Sequence, residues 1–253
     1  MGASGHRHSH PRSAAVGMSR LWKQLTEDYG GLVIRCAPGV HAASMATLRP
    51  CLTPASRIAD LASGSGAFVA RLRDAGYSNV LSVERDVPNY GYTPIPCVAI
   101  DLDRPFAKEL GGEFDAVSAI EIIEHLSSPI AFLHEVRALL REGGHALIST
   151  PNICEWTGRI KFLCTGKLRY FDVAQYRFQR HISPLLPTLV PEIFREAGFD
   201  VLKIGTAGSF DGPIRRATVG AVGRGLSAID PAGLWNGECL VILARTAPLL
   251  RTA

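Results

Sequence analysis

The sequence lacks paired cysteines, long apolar runs and a leader-like start. Its cysteines are irregularly spaced and form no C-x-x-C pair: Cys36, Cys51, Cys97, Cys154, Cys164 and Cys239. Such spacing excludes the usual zinc and thioredoxin motifs and is typical of reduced thiols, so we expect a cytoplasmic protein. No apolar run reaches the length of about 18 residues that a transmembrane helix needs. The N-terminal residues contain no apolar segment of the kind found in secretory signals, and residues 1–17 are expected to form a disordered tail.

Concentrated charge is also missing. The chain has 27 Lys and Arg against 23 Asp and Glu, a net charge of +4, and its longest basic run is a pair. This scattered excess predicts no nucleic-acid partner. With 253 residues and 47% hydrophobic composition, the chain can bury a core, and residues 18–253 are expected to form a single α/β domain.

Short apolar segments alternate with helical patterns in the middle of the chain. Strands are predicted over 57–61, 79–83, 97–100, 114–120 and 145–149, and helices over 19–29, 40–48, 67–75 and 129–140. This alternation predicts a doubly wound α/β fold with a parallel sheet and helices on both faces. Right-handed crossovers would place the carboxyl ends of the strands at one edge, where ligands bind.

The last hundred residues are less regular. Residues 151–182 are aromatic, basic and without clear periodicity. A helix follows over 187–197, and strands are predicted over 200–205 and 238–244 with a glycine-weakened helix over 214–229 between them. Its glycines and modest charge argue against membrane association through the 214–229 helix.

The first predicted strand ends in an acid that small residues follow. Asp60 precedes Ala62, Gly64 and Gly66, and a helix starts directly afterwards. Glycines permit a tight turn and a close ligand approach, and the helix N-terminus attracts a carboxylate or phosphate. A dinucleotide fingerprint would require a third glycine where Val69 stands, and Asp60 would repel a pyrophosphate. An acid suits a ligand that carries a positive group as well as a carboxylate.

The segment D-L-A-S-G-S-G resembles the first motif of class I S-adenosylmethionine (SAM)-dependent methyltransferases, with Ala62 where the first glycine usually stands. The resemblance implies a Rossmann-like, mostly parallel seven-stranded sheet with an antiparallel last strand and an inserted cap. It also implies that the Gly64–Gly66 turn wraps the methionine end of SAM.

Acids also follow the second and third strands. Glu84 stands 24 residues after Asp60, where a carboxylate can accept both ribose hydroxyls. In the family, an acid after the third strand holds the adenine amino group and the neighbouring apolar residue packs on the ring. The resemblance therefore implies Asp101 and Leu102 for these roles, with Asp103 as a competitor. All of these acids can alternatively be solvated loop residues.

The fourth strand leads into E-x-x-E-H. The spacing of Glu121, Glu124 and His125 predicts one face of a helical turn. Such a face can bind a divalent cation, or it can be a helix-opening acid pair beside a structural histidine. We also expect Glu121 to contribute to the cofactor site.

The E-x-x-E-H arrangement resembles that of ubiquinone-biosynthesis O-methyltransferases and of small-RNA 3′-terminal 2′-O-methyltransferases, where it binds Mg²⁺ or a similar ion. The RNA enzymes carry a further histidine well after a T-P-N segment, and His181 follows Thr150-Pro151-Asn152 in the same way. The resemblance implies that Glu121, Glu124, His125 and His181 are candidate ligands of Mg²⁺.

The sequence therefore predicts SAM-dependent methyl transfer to a hydroxyl of a small-molecule, glycan or lipid-linked acceptor. His181, or else His125, is the candidate general base, and a metal is the alternative means of activating the oxygen. Residues 153–182 are expected to form the acceptor cap and residues 206–237 an insertion before the last strand. The stretch 158–182 is similar to methyltransferases encoded with bacterial surface-glycan synthesis genes. An NAD(P)-dependent oxidoreductase and a non-catalytic SAM-binding module are the alternative functions.

Overall fold

The computed structural model of the protein describes residues 27–211 and 213–248. The predicted tail, residues 1–17, and most of the predicted helix over 19–29 lie outside the described residues. The end of that helix is wrong, because strand β1 (Asp28–Tyr29) pairs with β2 (Leu32–Val33) in a small antiparallel hairpin.

Seven strands form the central sheet in the order β5-β4-β3-β6-β7-β9-β8. They are β3 (Ile58–Leu61), β4 (Val80–Val83), β5 (Cys97–Val98), β6 (Phe114–Ile120), β7 (Leu140–Pro151), β8 (Phe199–Ala207) and β9 (Cys239–Thr246). Strands β3 to β7 pair in parallel, and β9 runs antiparallel to both β7 and β8. The predicted Rossmann-like sheet, mostly parallel with a reversed last strand, is confirmed.

Eight helices are described around this sheet. They are α1 (Val40–Leu48), α2 (Ala67–Asp74), α3 (Ala107–Leu110), α4 (Pro129–Leu139), α5 (Trp156–Thr165), α6 (Val173–Gln179), α7 (Val190–Glu196) and α8 (Pro213–Ile229). Helices α5 and α6 lie within the stretch that shows no periodicity in the sequence. Each begins at a carboxylate, Glu155 or Asp172, that accepts hydrogen bonds from the first free backbone N–H groups of its helix.

The core lies on both faces of the sheet, as alternation along β3 illustrates. Ile58 packs in a cluster with Phe68 of α2, whereas Ala59 and Leu61 belong to the larger cluster that includes α4 and α7. Side chains alternate along a strand with a period of two. Asp60 therefore shares the Ile58 face, at the carboxyl end of the strand where a ligand can reach it.

Phe194 of α7 provides a test of this packing. Its side chain is fully buried, and its ring centroid lies 6.1 Å from that of Phe199. Phe194→Ala should lower the free energy of unfolding by about 3–5 kcal/mol, because it removes a buried ring and leaves a cavity. Urea denaturation would measure the loss. Leu202→Ala, at an exposed position of β8, is the control and should cost well under half as much; equal losses would contradict the packing.

Candidate active site

A cavity of about 1010 Å³ opens where the parallel strands end. Its walls come from residues that follow β3, β4, β5 and β6, together with residues 33–37 and the segment 170–181. Each predicted site residue lines this cavity except Gly66, whose neighbours Ser65 and Ala67 do. The structure thus brings the sequence candidates to one place.

The turn after β3 has the backbone that its small residues predict. Ala62, Gly64 and Gly66 have φ values of 57°, 56° and 86°, all in the left-handed region. Ala62 thus has the conformation that favours glycine, at a cost of about 1–2 kcal/mol. A Cβ atom on Gly66 would lie 2.6 Å from Cβ of Tyr92 and 2.7 Å from the Tyr90 ring. Only glycine fits there.

Two carboxylates flank this turn. Asp60 is 2% exposed and accepts a 2.6 Å hydrogen bond from the Ser118 hydroxyl. Burial raises the pKa of Asp60 to about 6. Glu84 is half-buried and accepts hydrogen bonds from the N–H of Gly64 at 2.9 Å and of Asp86 at 3.0 Å. Glu84 therefore holds the turn in place while it faces the cavity.

The two acids that follow β5, Asp101 and Asp103, differ in their hydrogen bonds. Leu102 is buried in the cavity wall between them. Asp103 accepts a 2.7 Å hydrogen bond from the N–H of Ser127 and so fixes the loop that precedes α4. Asp101 accepts a 3.2 Å bond from the Asp103 N–H and lies 3.6 Å from Arg104. This difference favours Asp101 over Asp103 as a ligand-binding group.

Glu121 lies apart from the other members of E-x-x-E-H. It has a φ of 53°, and its carboxylate accepts a 2.8 Å hydrogen bond from Ser149 and contacts the Cys239 thiol at 3.3 Å. Burial raises its pKa to about 7. The 3₁₀ turn begins only at Ile123 and ends at His125. The single helical face expected for Glu121, Glu124 and His125 does not form, because Glu121 binds the neighbouring strands.

Glu124, His125 and His181 come together instead, with one potential ligand atom of each within 4.8 Å of the others. The two imidazole centroids are 4.7 Å apart, and Nε2 of His125 lies 3.8 Å from Oε1 of Glu124. Nδ1 lies 2.5 Å from the Gln179 carbonyl in His125 and 2.8 Å from the Tyr170 carbonyl in His181. A carbonyl can only accept, so each Nδ1 carries the proton and each Nε2 keeps a free lone pair.

Burial governs the electrostatics of this cluster. Glu124 is 1% exposed, and neither carboxylate oxygen has a hydrogen-bond partner among the described residues. Burial and the nearby Glu121 raise the pKa of Glu124 well above its usual value. Burial lowers the pKa of His125, and burial followed by the charge of His125 lowers the pKa of His181 to about 4. Two neutral imidazoles beside an unpartnered carboxyl can accept a proton or bind a cation.

The groups that attach residues 153–182 to this site carry no signal in the sequence. The carbonyl of Glu124 accepts hydrogen bonds from the N–H groups of Ile182 and Ser183. Arg169 lies 2.6 Å from Glu155 and 2.8 Å from Glu238, so it joins this segment to the start of β9. Lys161 likewise lies 3.2 Å from Asp172. Arg169 and Lys161 therefore form ion pairs within the protein and are not available to an acceptor.

The segment 206–237 contributes to a second, smaller cavity. Its volume is about 480 Å³, and Trp156, Trp235 and Arg224 line it. Glu238 lines both cavities. Asn152, fully buried, donates to the carbonyls of residues 234, 236 and 237 and so secures this segment against the end of β7.

Strand order, a reversed β9 and a glycine turn flanked by acids define a class I SAM-dependent methyltransferase. A family profile described as a methyltransferase domain matches residues 21–204, and the chain belongs to that family. These findings do not favour an NAD(P)-dependent oxidoreductase. Among the helices of the described ranges, none has the length and apolar character needed to cross a membrane.

Relatives and solved structures agree with this class. A ubiquinone biosynthesis O-methyltransferase of Albidiferax ferrireducens is 31% identical over 121 residues, 48% of this chain and 40% of the relative. One from Acinetobacter baumannii is 30% identical over 69 residues, 27% of each. The match thus spans less than half of either relative. A SAM-dependent methyltransferase from Archaeoglobus fulgidus has a TM-score of 0.58 and 17% identity over 81% of this chain and 94% of its own, a likeness of fold alone.

Burial of Asp60 predicts a pH-dependent stability in the cofactor-free protein. Between its ordinary pKa of 3.8 and about 6, the folded state keeps a proton that the unfolded state releases. Stability is therefore lost as pH rises through this window, by about 3 kcal/mol in total.

Asp60→Asn cannot titrate. Its melting temperature relative to the wild type should rise between pH 4 and pH 6 and level off above that. Thermal unfolding across pH would measure this difference. The control is Glu142→Gln at an exposed position, and a difference for Asp60→Asn that does not change with pH would contradict the burial argument.

Proposed function

We propose that this chain transfers the methyl group of SAM to a hydroxyl oxygen of an acceptor held beneath residues 153–182. The observation that carries the proposal is the cluster of Glu124, His125 and His181, whose proton-accepting atoms converge in the cavity that the glycine turn also lines. A hydroxyl acceptor must lose its proton during transfer, and this cluster is placed to take it. The partial match to ubiquinone biosynthesis O-methyltransferases supports oxygen as the acceptor atom.

In this proposal the glycine turn and the strand-end acids bind SAM. The turn and Asp60 receive the methionine end, where the ammonium of SAM would favour the ionised form of Asp60. Glu84 receives the ribose hydroxyls, and Asp101 with Leu102 receives the adenine. Glu121 stabilises the cavity floor through Ser149 and Cys239. Methyl transfer is an in-line displacement, so much of the rate enhancement can come from aligning the acceptor oxygen with the methyl group.

The residues of the cluster also fit a divalent cation. A buried carboxylate without a partner and two free imidazole Nε2 atoms form a two-nitrogen, one-oxygen donor set. Magnesium prefers oxygen ligands throughout, whereas imidazole suits zinc, iron, cobalt or nickel. We therefore propose a first-row transition metal instead of Mg²⁺, with Glu121 outside the ligand set. Such an ion would polarise the acceptor hydroxyl.

Calorimetric titration with SAM, S-adenosylhomocysteine and NAD⁺ tests the cofactor assignment. Glu84→Gln and Asp60→Asn should each weaken SAM binding by about tenfold or more, since each loses a charged hydrogen-bonding group. Glu142→Gln, at an exposed position that does not line the cavity, should bind like the wild type. Binding of NAD⁺ without SAM would overturn the proposal.

Cobalt titration tests the metal proposal, because Co²⁺ bound by nitrogen ligands absorbs visible light. The wild type should develop this absorption, and Glu124→Gln, His125→Ala and His181→Ala should each lose it. His134→Ala, at an exposed position of α4, is the matched control.

The same variants separate a metal from a general base. If the wild type does not bind Co²⁺ but His181→Ala loses methyl transfer to a panel of phenolic and alcoholic acceptors while retaining SAM affinity, His181 is the base. Turnover by His181→Ala equal to that of the wild type would remove this residue from the mechanism. Binding of SAM with no turnover of any acceptor would favour a non-catalytic SAM-binding module.

A further inference from the structure

Exposed apolar side chains are concentrated on two neighbouring helices. Of the thirteen large hydrophobic residues that are exposed in the described ranges, six belong to α5 and α6. We call them the apolar cap surface: Ile160, Phe162, Leu163, Val173, Tyr176 and Phe178. Leu163 is 85% exposed and Val173 66%. Such a concentration on 17 residues marks an interaction site more than isolated exposed residues do.

The spacing of these side chains along each helix places several of them on the same face. Ile160 and Leu163, like Val173 and Tyr176, are three residues apart and therefore share a face of their helix. The ion pair between Lys161 and Asp172, at 3.2 Å, links α5 to the N-cap of α6. Lys161 is next to Ile160 and Phe162 in the sequence and Asp172 is next to Val173, so the ion pair holds the apolar residues of the two helices near one another.

The charge on this surface has one sign. Lys167, Arg177 and Arg180 are exposed, and no carboxylate of the described residues lies within ion-pair distance of them. The acids of this segment, Glu155 and Asp172, are already paired with Arg169 and Lys161. Aromatic and aliphatic side chains bordered by free cations are typical of helices that lie on an anionic membrane surface.

We propose that the apolar cap surface binds the headgroup region of anionic lipid membranes. Phe178 is 62% exposed and also lines the main cavity, so a bound membrane would lie at the cavity mouth. Membrane binding itself does not depend on the reaction. The consequence that the acceptor is drawn from the lipid phase rests on the proposed methyl transfer.

Vesicle co-sedimentation of the full chain tests this proposal. Vesicles of phosphatidylcholine alone are compared with vesicles containing about one third phosphatidylglycerol. The wild type should bind the anionic vesicles. Both Leu163→Ser/Val173→Ser and Lys167→Gln/Arg177→Gln should bind about tenfold more weakly, since they remove apolar contact or cationic attraction. Val98→Ser/Leu202→Ser, at exposed positions elsewhere, is the matched control and should bind like the wild type.

Melting temperature and SAM affinity, measured on every variant, separate loss of fold or cofactor from loss of membrane binding. Wild-type protein that binds SAM but neither type of vesicle would overturn this proposal and leave methyl transfer intact. If Val98→Ser/Leu202→Ser weakened vesicle binding as much as the cap variants do, the membrane proposal would also be overturned. A dimer in light scattering that the cap variants abolish would also overturn it, because a second copy would then cover the surface.

Discussion

Three buried acidic side chains lie at the edge of the sheet where its parallel strands end. Their burial determines which hydrogen bonds and which ligands this part of the protein can accommodate. Asp60 accepts a hydrogen bond from Ser118, and Glu121 accepts hydrogen bonds from Ser149 and Cys239. Glu124 has no hydrogen-bond partner among the described residues. A buried carboxylate is costly without a partner. Burial raises the pKa of all three groups, so each keeps its proton to a higher pH than an exposed carboxyl group does. A cationic ligand in this cavity would favour the ionised form of these groups.

The segment 153–182 is built into this edge. The carbonyls of Gln179 and Tyr170 fix the tautomers of His125 and His181, and the carbonyl of Glu124 holds the chain just after His181. The Arg169 pairs with Glu155 and Glu238 anchor the same segment to β9. Imidazole orientation therefore depends on the backbone that covers the cavity. An acceptor that moved this backbone would remove the hydrogen bonds that fix these tautomers.

The sequence predicts those features that depend on local pattern. Strand β6 and helix α1 match their predicted bounds, and the glycine turn has the positive φ values that its residues require. Helices α5 and α6 are not predicted from the sequence, because their capping acids lie among aromatic and basic residues without periodicity. Glu121 leaves the expected helical face because Ser149, 28 residues later, binds it. The pairing of Arg169 with Glu238 likewise spans two distant segments that only the fold brings together.

The pKa of His181 also bears on how acidic the hydroxyl of the proposed acceptor must be. A neutral imidazole whose pKa is about 4 is a weak base for an aliphatic alcohol, whose pKa is close to that of water, about 16. A phenol ionises near pH 10, so about six powers of ten separate these two kinds of acceptor. A divalent cation would reduce the difference in pKa between the hydroxyl and the base, since it can lower the pKa of a bound water to about 7. Proton transfer to His181 is therefore easier from an acidic, ring-bearing hydroxyl than from an aliphatic alcohol, and an ion held by Glu124, His125 and His181 would reduce this difference. The aromatic side chains of residues 170–178 that line the cavity are compatible with the ring.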